Sequence, residues 1–196
     1  MVTKAAVHAP WSWGLIRGPV RRFFDSLAPG WDQRVGADSE ARLAPIGAAL
    51  EHVERIPRRA LDIGTGTGAA ALELTRRYPD AEVLGIDISE PMIARAREKA
   101  AEQGSGARFE VADIAAYKDQ APFDLVLMMN MPPFFRPVSD LVAPGGYVVS
   151  ISSRGPTTPF YTSPRTLERK FGGYGFRTLA AGSHGPATYH VAEKPA

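Results

Sequence analysis

The chain has no cysteine, which removes disulfide scaffolds, thiolate zinc sites and cysteine nucleophiles together. It has no long apolar run either. The N-terminal stretch carries a single Lys4 and is broken by His8, Pro10 and Gly14, a poor pattern for a signal peptide or a membrane span. A cytoplasmic location is the resulting expectation. Blocks of five or six basic residues are missing too, and 23 Lys+Arg against 21 Asp+Glu leave a net charge of +2. Nothing therefore marks a stripe that would release counterions from nucleic acid, which is not an expected partner. The histidines are few, His8, His52, His184 and His190, and none forms a metal-ligand spacing or a catalytic triad with nearby acids. No metal is expected.

What is present suits one globular domain. The 196 residues are 44% apolar and 22% charged, enough to bury roughly 70% of the unfolded surface. The 19 glycines and 17 prolines exceed the usual share and gather towards the two ends. Residues 1–20, with Pro10, Trp11, Trp13, Gly14, Gly18 and Pro19, read as an extended arm, followed by helices over 20–27 and 38–55. From residue 58 short apolar runs alternate with helical segments, the mark of βαβ units and a parallel sheet. Strands are predicted at 59–63, 82–87, 107–112, 123–129 and 146–152, and helices at 67–77, 90–103 and 163–172, with only a short connection after 129. Ser89 with Pro91 predicts a capped helix start and Gly104 its stop. Segments 175–181 and 187–194, joined through Gly182, Ser183, Gly185 and Pro186, read as an antiparallel pair.

The most informative stretch is Ala60-Leu-Asp-Ile-Gly-Thr-Gly-Thr-Gly-Ala69, a strand that runs into a glycine turn and opens a helix. Gly64, Gly66 and Gly68 permit positive φ and close approach of backbone to a ligand, and the helix start presents free N–H groups. The turn alone also satisfies a relaxed dinucleotide fingerprint, with Asp87 near the ribose-binding spacing. Three acids favour a different ligand. Asp62, Asp87 and Asp113 end three successive strands at the edge where open α/β sheets bind ligands. A carboxylate beside the turn suits an ammonium or sulfonium and repels a pyrophosphate. Together the acids match a cofactor with amino, ribose and adenine groups and no phosphate.

These residues resemble the class I S-adenosylmethionine-dependent methyltransferases. The likeness lies in Leu61-Asp-Ile-Gly-Thr-Gly-Thr-Gly68, Gly85-Ile-Asp-Ile-Ser89, Asp113-Ile114, Phe123-Asp-Leu-Val-Leu127 and Leu141-Val-Ala-Pro-Gly-Gly-Tyr-Val148. It implies an α/β, Rossmann-like, doubly wound sheet of seven strands in the order 3-2-1-4-5-7-6, with strand 7 antiparallel. It implies S-adenosyl-L-methionine as cofactor, with Gly64, Thr65, Gly66 and Gly68 around the methionine part and Asp62 near its amino group. It likewise implies Asp87 on the ribose hydroxyls, Ile88 against adenine, and Asp113 with Ile114 at the adenine edge. On this reading residues 1–57 form an arm and helical cap over the active site, and 58–196 the cofactor-binding core, within one structural domain.

Ahead of the core, Phe24-Asp-Ser-Leu-Ala-Pro-Gly-Trp-Asp32 resembles a segment that lies over the cofactor in quinone-type and other small-molecule methyltransferases. Trp11, Trp13 and Trp31 read equally as lid residues or as packing. After strand 4, Met129-Asn-Met-Pro-Pro-Phe-Phe135 occupies the acceptor-contacting place, and it resembles the Asn/Asp-Pro-Pro-Tyr/Phe loop of amino-group methyltransferases with Met131 intervening. Asn130 is the candidate catalytic residue, and Phe24, Trp31, Asn130 and Phe134 are the candidate acceptor contacts. The expected function is methyl transfer to a small, partly apolar acceptor. Amino-group methylation of nucleic acid or protein and a non-catalytic, regulatory cofactor-binding role are the alternatives.

Overall fold

A computed structural model describes residues 13–158 and 160–196; Trp11 and His8 lie outside them. Three helices come first: α1 (Trp13–Leu27), α2 (Trp31–Val35) and α3 (Glu40–Leu50). The core then alternates β1 (Arg59–Ile63), α4 (Ala69–Arg77), β2 (Glu82–Asp87), α5 (Glu90–Glu102), β3 (Arg108–Val111) and β4 (Phe123–Met129). It continues with α6 (Phe135–Leu141), β5 (Val142–Ser152), α7 (Pro164–Gly172), β6 (Arg177–His184) and β7 (Ala187–Glu193). The seven strands pair in the order β3-β2-β1-β4-β5-β7-β6, parallel up to β5, with β7 antiparallel to both its neighbours. This is the strand order, with strand 7 antiparallel, that the resemblance implied.

Side-chain alternation along the strands divides the core into two faces. Leu61, Ile63, Leu84, Ile86, Val126 and Met128 pack with α6 and α7 residues such as Val138, Leu167 and Phe171. Ala60, Val83, Leu125, Leu127 and Val149 pack on the other face, with Ile46 of α3, Leu74 of α4 and Ile93 of α5. The helix starts follow local chemistry. Ser89 caps α5 by accepting the Met92 N–H, and Ser163 caps α7 by accepting that of Thr166. Gly104, at φ 61, ends the turn after α5.

Five expectations are corrected. Residues 13–20 are helical, not an extended arm, because Trp13, Ile16, Val20, Phe24 and Leu27 recur at helical spacing and the helix lays Trp13, Ile16 and Val20 against the core. The helix expected over 38–55 spans only Glu40–Leu50, stopping where its buried face of Ile46, Ala49 and Leu50 ends. The connection after β4 holds a helix, α6, whose Phe135, Val138 and Leu141 are buried at a spacing of three. Strand β5 starts at Val142, ahead of the expected 146, because its pairing with β4 shifts register between Phe123 and Leu125. Gly182 and Ser183 lie within β6 and the hairpin turns at Gly185-Pro186. His190 is fully buried in β7, stacked on Phe171, while His52 stacks on Tyr189.

Candidate functional site

The C-terminal ends of β1, β2 and β4, the segment after β3, and helices α1–α3 enclose a cavity of about 620 Å³. Asp62, Gly64, Thr65, Gly66, Asp87, Ile88, Asp113, Ile114, Phe24, Trp31, Asn130 and Phe134 all line it. Gly68 does not. It stands one step back as the residue preceding α4, where a Cβ would lie 2.9 Å from Phe109 and 3.0 Å from Ala96, so its role is packing against β3 and α5. Gly66 is a different case. Its φ is 54°, and a Cβ there would meet only Trp31 Nε1, at 3.8 Å, so the bare backbone faces space that a ligand can take.

Each strand-end acid is already engaged. Asp62 is buried, and the Thr65 hydroxyl donates to it at 2.6 Å. Gly85, opposite Asp62 on β2, makes room for this bond, since a Cβ there would sit 2.7 Å from the Thr65 hydroxyl and from Phe109. Burial pushes the Asp62 carboxyl up to about 7; the bond from Thr65 opposes this and the nearby Asp87 charge adds to it. Asp87 accepts the Gly66 N–H with one oxygen and the Ser89 N–H with the other, both at 2.9 Å, and thereby ties the first glycine turn to the start of α5. Burial raises its pKa as well. Asp113 accepts the indole N–H of Trp13, at 2.9 and 3.1 Å to its two oxygens, and the Ala115 N–H at 3.0 Å.

The N-terminal helices are fastened by side chains to the turns that follow β1 and β2. The Ser89 hydroxyl donates to Asp25 at 2.7 Å, and the Thr67 hydroxyl donates to Asp32. Lys99 of α5, 3% exposed, donates to both oxygens of Asp38 at 2.6 and 2.8 Å and lies 3.4 Å from Asp32. Phe24 meets Trp31 edge to face, and Trp13 meets Phe134 likewise. Beyond β4, Asn130 is the one non-glycine residue at positive φ among the described residues. Its Oδ1 accepts the Ser153 N–H at 2.8 Å and its Nδ2 donates to the Ser153 hydroxyl at 2.9 Å, which joins the ends of β4 and β5. Met131 covers Gly64, its sulfur 3.1 Å from where a Cβ would stand.

Residues 60–146 match the family described as methyltransferase domain. The chain is 39% identical over 140 residues to a demethylmenaquinone methyltransferase of Thermus thermophilus, covering 64% of this chain and 62% of that protein. It is 34% identical over 156 residues to the demethylmenaquinone methyltransferase of Deinococcus radiodurans, covering 72% and 63%. The chain thus spans about three-fifths of the length of these curated relatives. Among solved structures, the magnesium protoporphyrin IX methyltransferase of Synechocystis, with bound S-adenosylhomocysteine, superposes with a TM-score of 0.71 at 18% identity, over 91% of this chain and 99% of that one. The fold is that of the S-adenosylmethionine-dependent methyltransferases.

The residues at this site fit S-adenosylmethionine. Carboxylates at three strand ends suit an ammonium and hydroxyl donors, and the open backbone at Gly66 leaves space beside them. A pyrophosphate would instead meet the buried Asp62 at the first turn. The Trp13 indole N–H is shared between both oxygens of Asp113, so an adenine amine reaching that carboxylate shares it with the indole. Reasoning from sequence missed the latch residues Asp25, Asp32, Asp38, Ser89, Thr67 and Lys99, although Asp25 and Asp32 stood inside the Phe24–Asp32 pattern. It also missed Arg34, Arg42 and Arg154, which line the cavity and had no local motif to announce them. Among the described residues, no group of histidines and acids could hold a metal, and no helix is long and apolar enough to cross a membrane.

Proposed function

We propose that this protein transfers a methyl group from S-adenosyl-L-methionine to a small, partly apolar acceptor held under the N-terminal helices. What supports this most is one continuous cavity, running from the glycine turn and the acids to Phe24, Trp31, Phe134 and Phe160. Its volume falls in the ordinary range for small-molecule sites. Asp62, Thr65, Gly66, Asp87 and Ile88 are the residues proposed to hold the cofactor, which supplies an electrophilic methyl group on a sulfonium. Asp113 and Ile114 are proposed to border its adenine, and Gly64 its methionine part.

Residues 13–57 act in this reading as a cap whose aromatic side chains exclude water and align the acceptor. Alignment in a dry site can lower the barrier of a bimolecular step by about 7–11 kcal/mol. Asn130 is read as a positioning residue, since its carboxamide is committed at both ends to Ser153. That commitment weakens the amino-group alternative, which needs the Asn130 oxygen for a target amine. Two relatives are named for demethylmenaquinone, so a demethylated naphthoquinol is one acceptor to test. Calorimetry with S-adenosylhomocysteine gives the first check. Gly66→Val is expected to lower affinity at least a hundredfold in a folded protein, because the branched side chain would stand in the ligand's place at a positive φ. Unchanged affinity in that variant would refute the reading.

A further inference from the structure

The cavity is lined by charges of both signs. Its acids stand at or just after the ends of β1, β2 and β3, and each is engaged by Thr65, by backbone N–H groups or by Trp13. Three arginines also line the cavity: Arg34 of α2, Arg42 of α3 and Arg154 just after β5, of which Arg42 and Arg154 are close enough to repel each other. None of the three forms an ion pair among the described residues, and residues 1–12 contain neither Asp nor Glu that could supply one. The Arg42 Nε is buried with no hydrogen-bond acceptor. Arg42 is held below the ordinary arginine pKa chiefly by burial and further by the like charge of Arg154. A buried guanidinium donor left unmatched, with a second cation nearby and no carboxylate, is costly until a ligand or water completes it.

We propose that this arginine-lined part of the cavity binds an anionic group of the acceptor, a carboxylate in the first instance, with Arg42 and Arg154 as the specificity-determining pair. The proposal rests on the methyltransferase reading only in calling the ligand an acceptor; the anion site itself stands on the cavity geometry. A guanidinium offers a fixed fork that matches the two oxygens of a carboxylate, and the buried Nε of Arg42 is one prong of it. The remaining wall, with Phe24, Trp31 and Phe160, takes the apolar part of such a molecule. A cationic cofactor beside the acids and an anionic acceptor beside the arginines would also attract each other.

The test uses 2-naphthoate and its neutral isostere 2-naphthamide as probes, titrated into the whole protein with and without S-adenosylhomocysteine. The acid is expected to bind at least tenfold tighter than the amide. Arg42→Met and Arg154→Met should each erase most of that preference while leaving amide affinity within about twofold, and Arg42→Lys should keep part of it. Arg154 is exposed, so its variant is safe for folding, and Arg42→Met should raise Tm by removing a desolvated charge. Equal binding of acid and amide by the unaltered protein, or parallel losses of both in the variants, would overturn the proposal. If S-adenosylhomocysteine fails to bind but the acid preference persists and depends on Arg42, the methyltransferase reading falls and the anion site stands. Turnover of a neutral demethylated naphthoquinol that 2-naphthoate does not inhibit competitively would leave the methyltransferase reading intact and refute the anion site as part of the acceptor site.

Discussion

Asp62 combines burial, a single hydroxyl partner and a carboxyl that titrates near neutrality. A ligand ammonium beside it would favour the charged form, so binding would release a proton around pH 7. With the free carboxyl at about 7, S-adenosylhomocysteine affinity is expected to fall about tenfold from pH 8 to pH 6. Asp62→Asn should bind more weakly at pH 8 and lose this dependence. Calorimetry at pH 7 in buffers of different ionisation enthalpy should read about half a proton released by the unaltered protein and none by the variant. A flat profile would mean that no cation approaches Asp62. The residue was legible from sequence because strand, acid and glycine turn are contiguous. Arg42 was not: it sits in an ordinary helix, and its meaning comes from Arg154, far along the chain.

Helices α1 and α2 gain their positions from bonds that cross the molecule, which explains why local reading went wrong there. Gly14, Gly18 and Pro19 argue against a helix by propensity, yet burying Trp13 against the core outweighs them. The Phe24–Asp32 pattern was visible as a motif, but its acids mattered as latches to Ser89 and Thr67, partners that no spacing rule pairs with them. Asp32→Ala is expected to cost about 1–2 kcal/mol, lowering Tm by about 3–6 °C, because Thr67 loses its acceptor and buried Lys99 keeps only Asp38. The same variant should raise acceptor KM more than it lowers kcat, since it loosens the cap while Gly66 keeps its bond to Asp87. Thermal melts and steady-state kinetics check both. If KM does not move, the cap does not hold the acceptor.

At the scale of the whole molecule, two buried groups pull stability in opposite directions with pH. His190 is held down to about 4 by burial, so the stability it contributes is present above about 6.5 and is lost as pH falls towards 4. Asp62, raised from 3.8 to about 7, does the reverse: its contribution is present below its unfolded pKa and is lost as pH rises through 7. Between pH 4 and 6.5 the two partly cancel. Asp62→Asn should therefore steepen the fall of Tm on acidification across that window, exposing up to about 3 kcal/mol from His190. A curve parallel to that of the unaltered protein would show that Asp62 is not neutral at low pH in the folded state. The sheet order was readable in advance because hydrophobic periodicity and the terminal hairpin are local signals. The buried state of His190 was not, because alternation in β7 left open which face was covered.

The antiparallel course of β7 has a practical consequence. Glu193 lies beside Tyr147, at the edge where β5 enters its regular pairing with β4, whereas the cavity opens at the far edge, where the parallel strands end and Trp13 forms part of the wall. The two ends of the described chain therefore sit on opposite sides of the sheet. Immobilising the protein on a sensor surface through its C-terminus turns the cavity mouth towards solution, while an N-terminal tether feeds into the helix that covers it. Ligand measurements made in the two orientations should differ only where α1 must move.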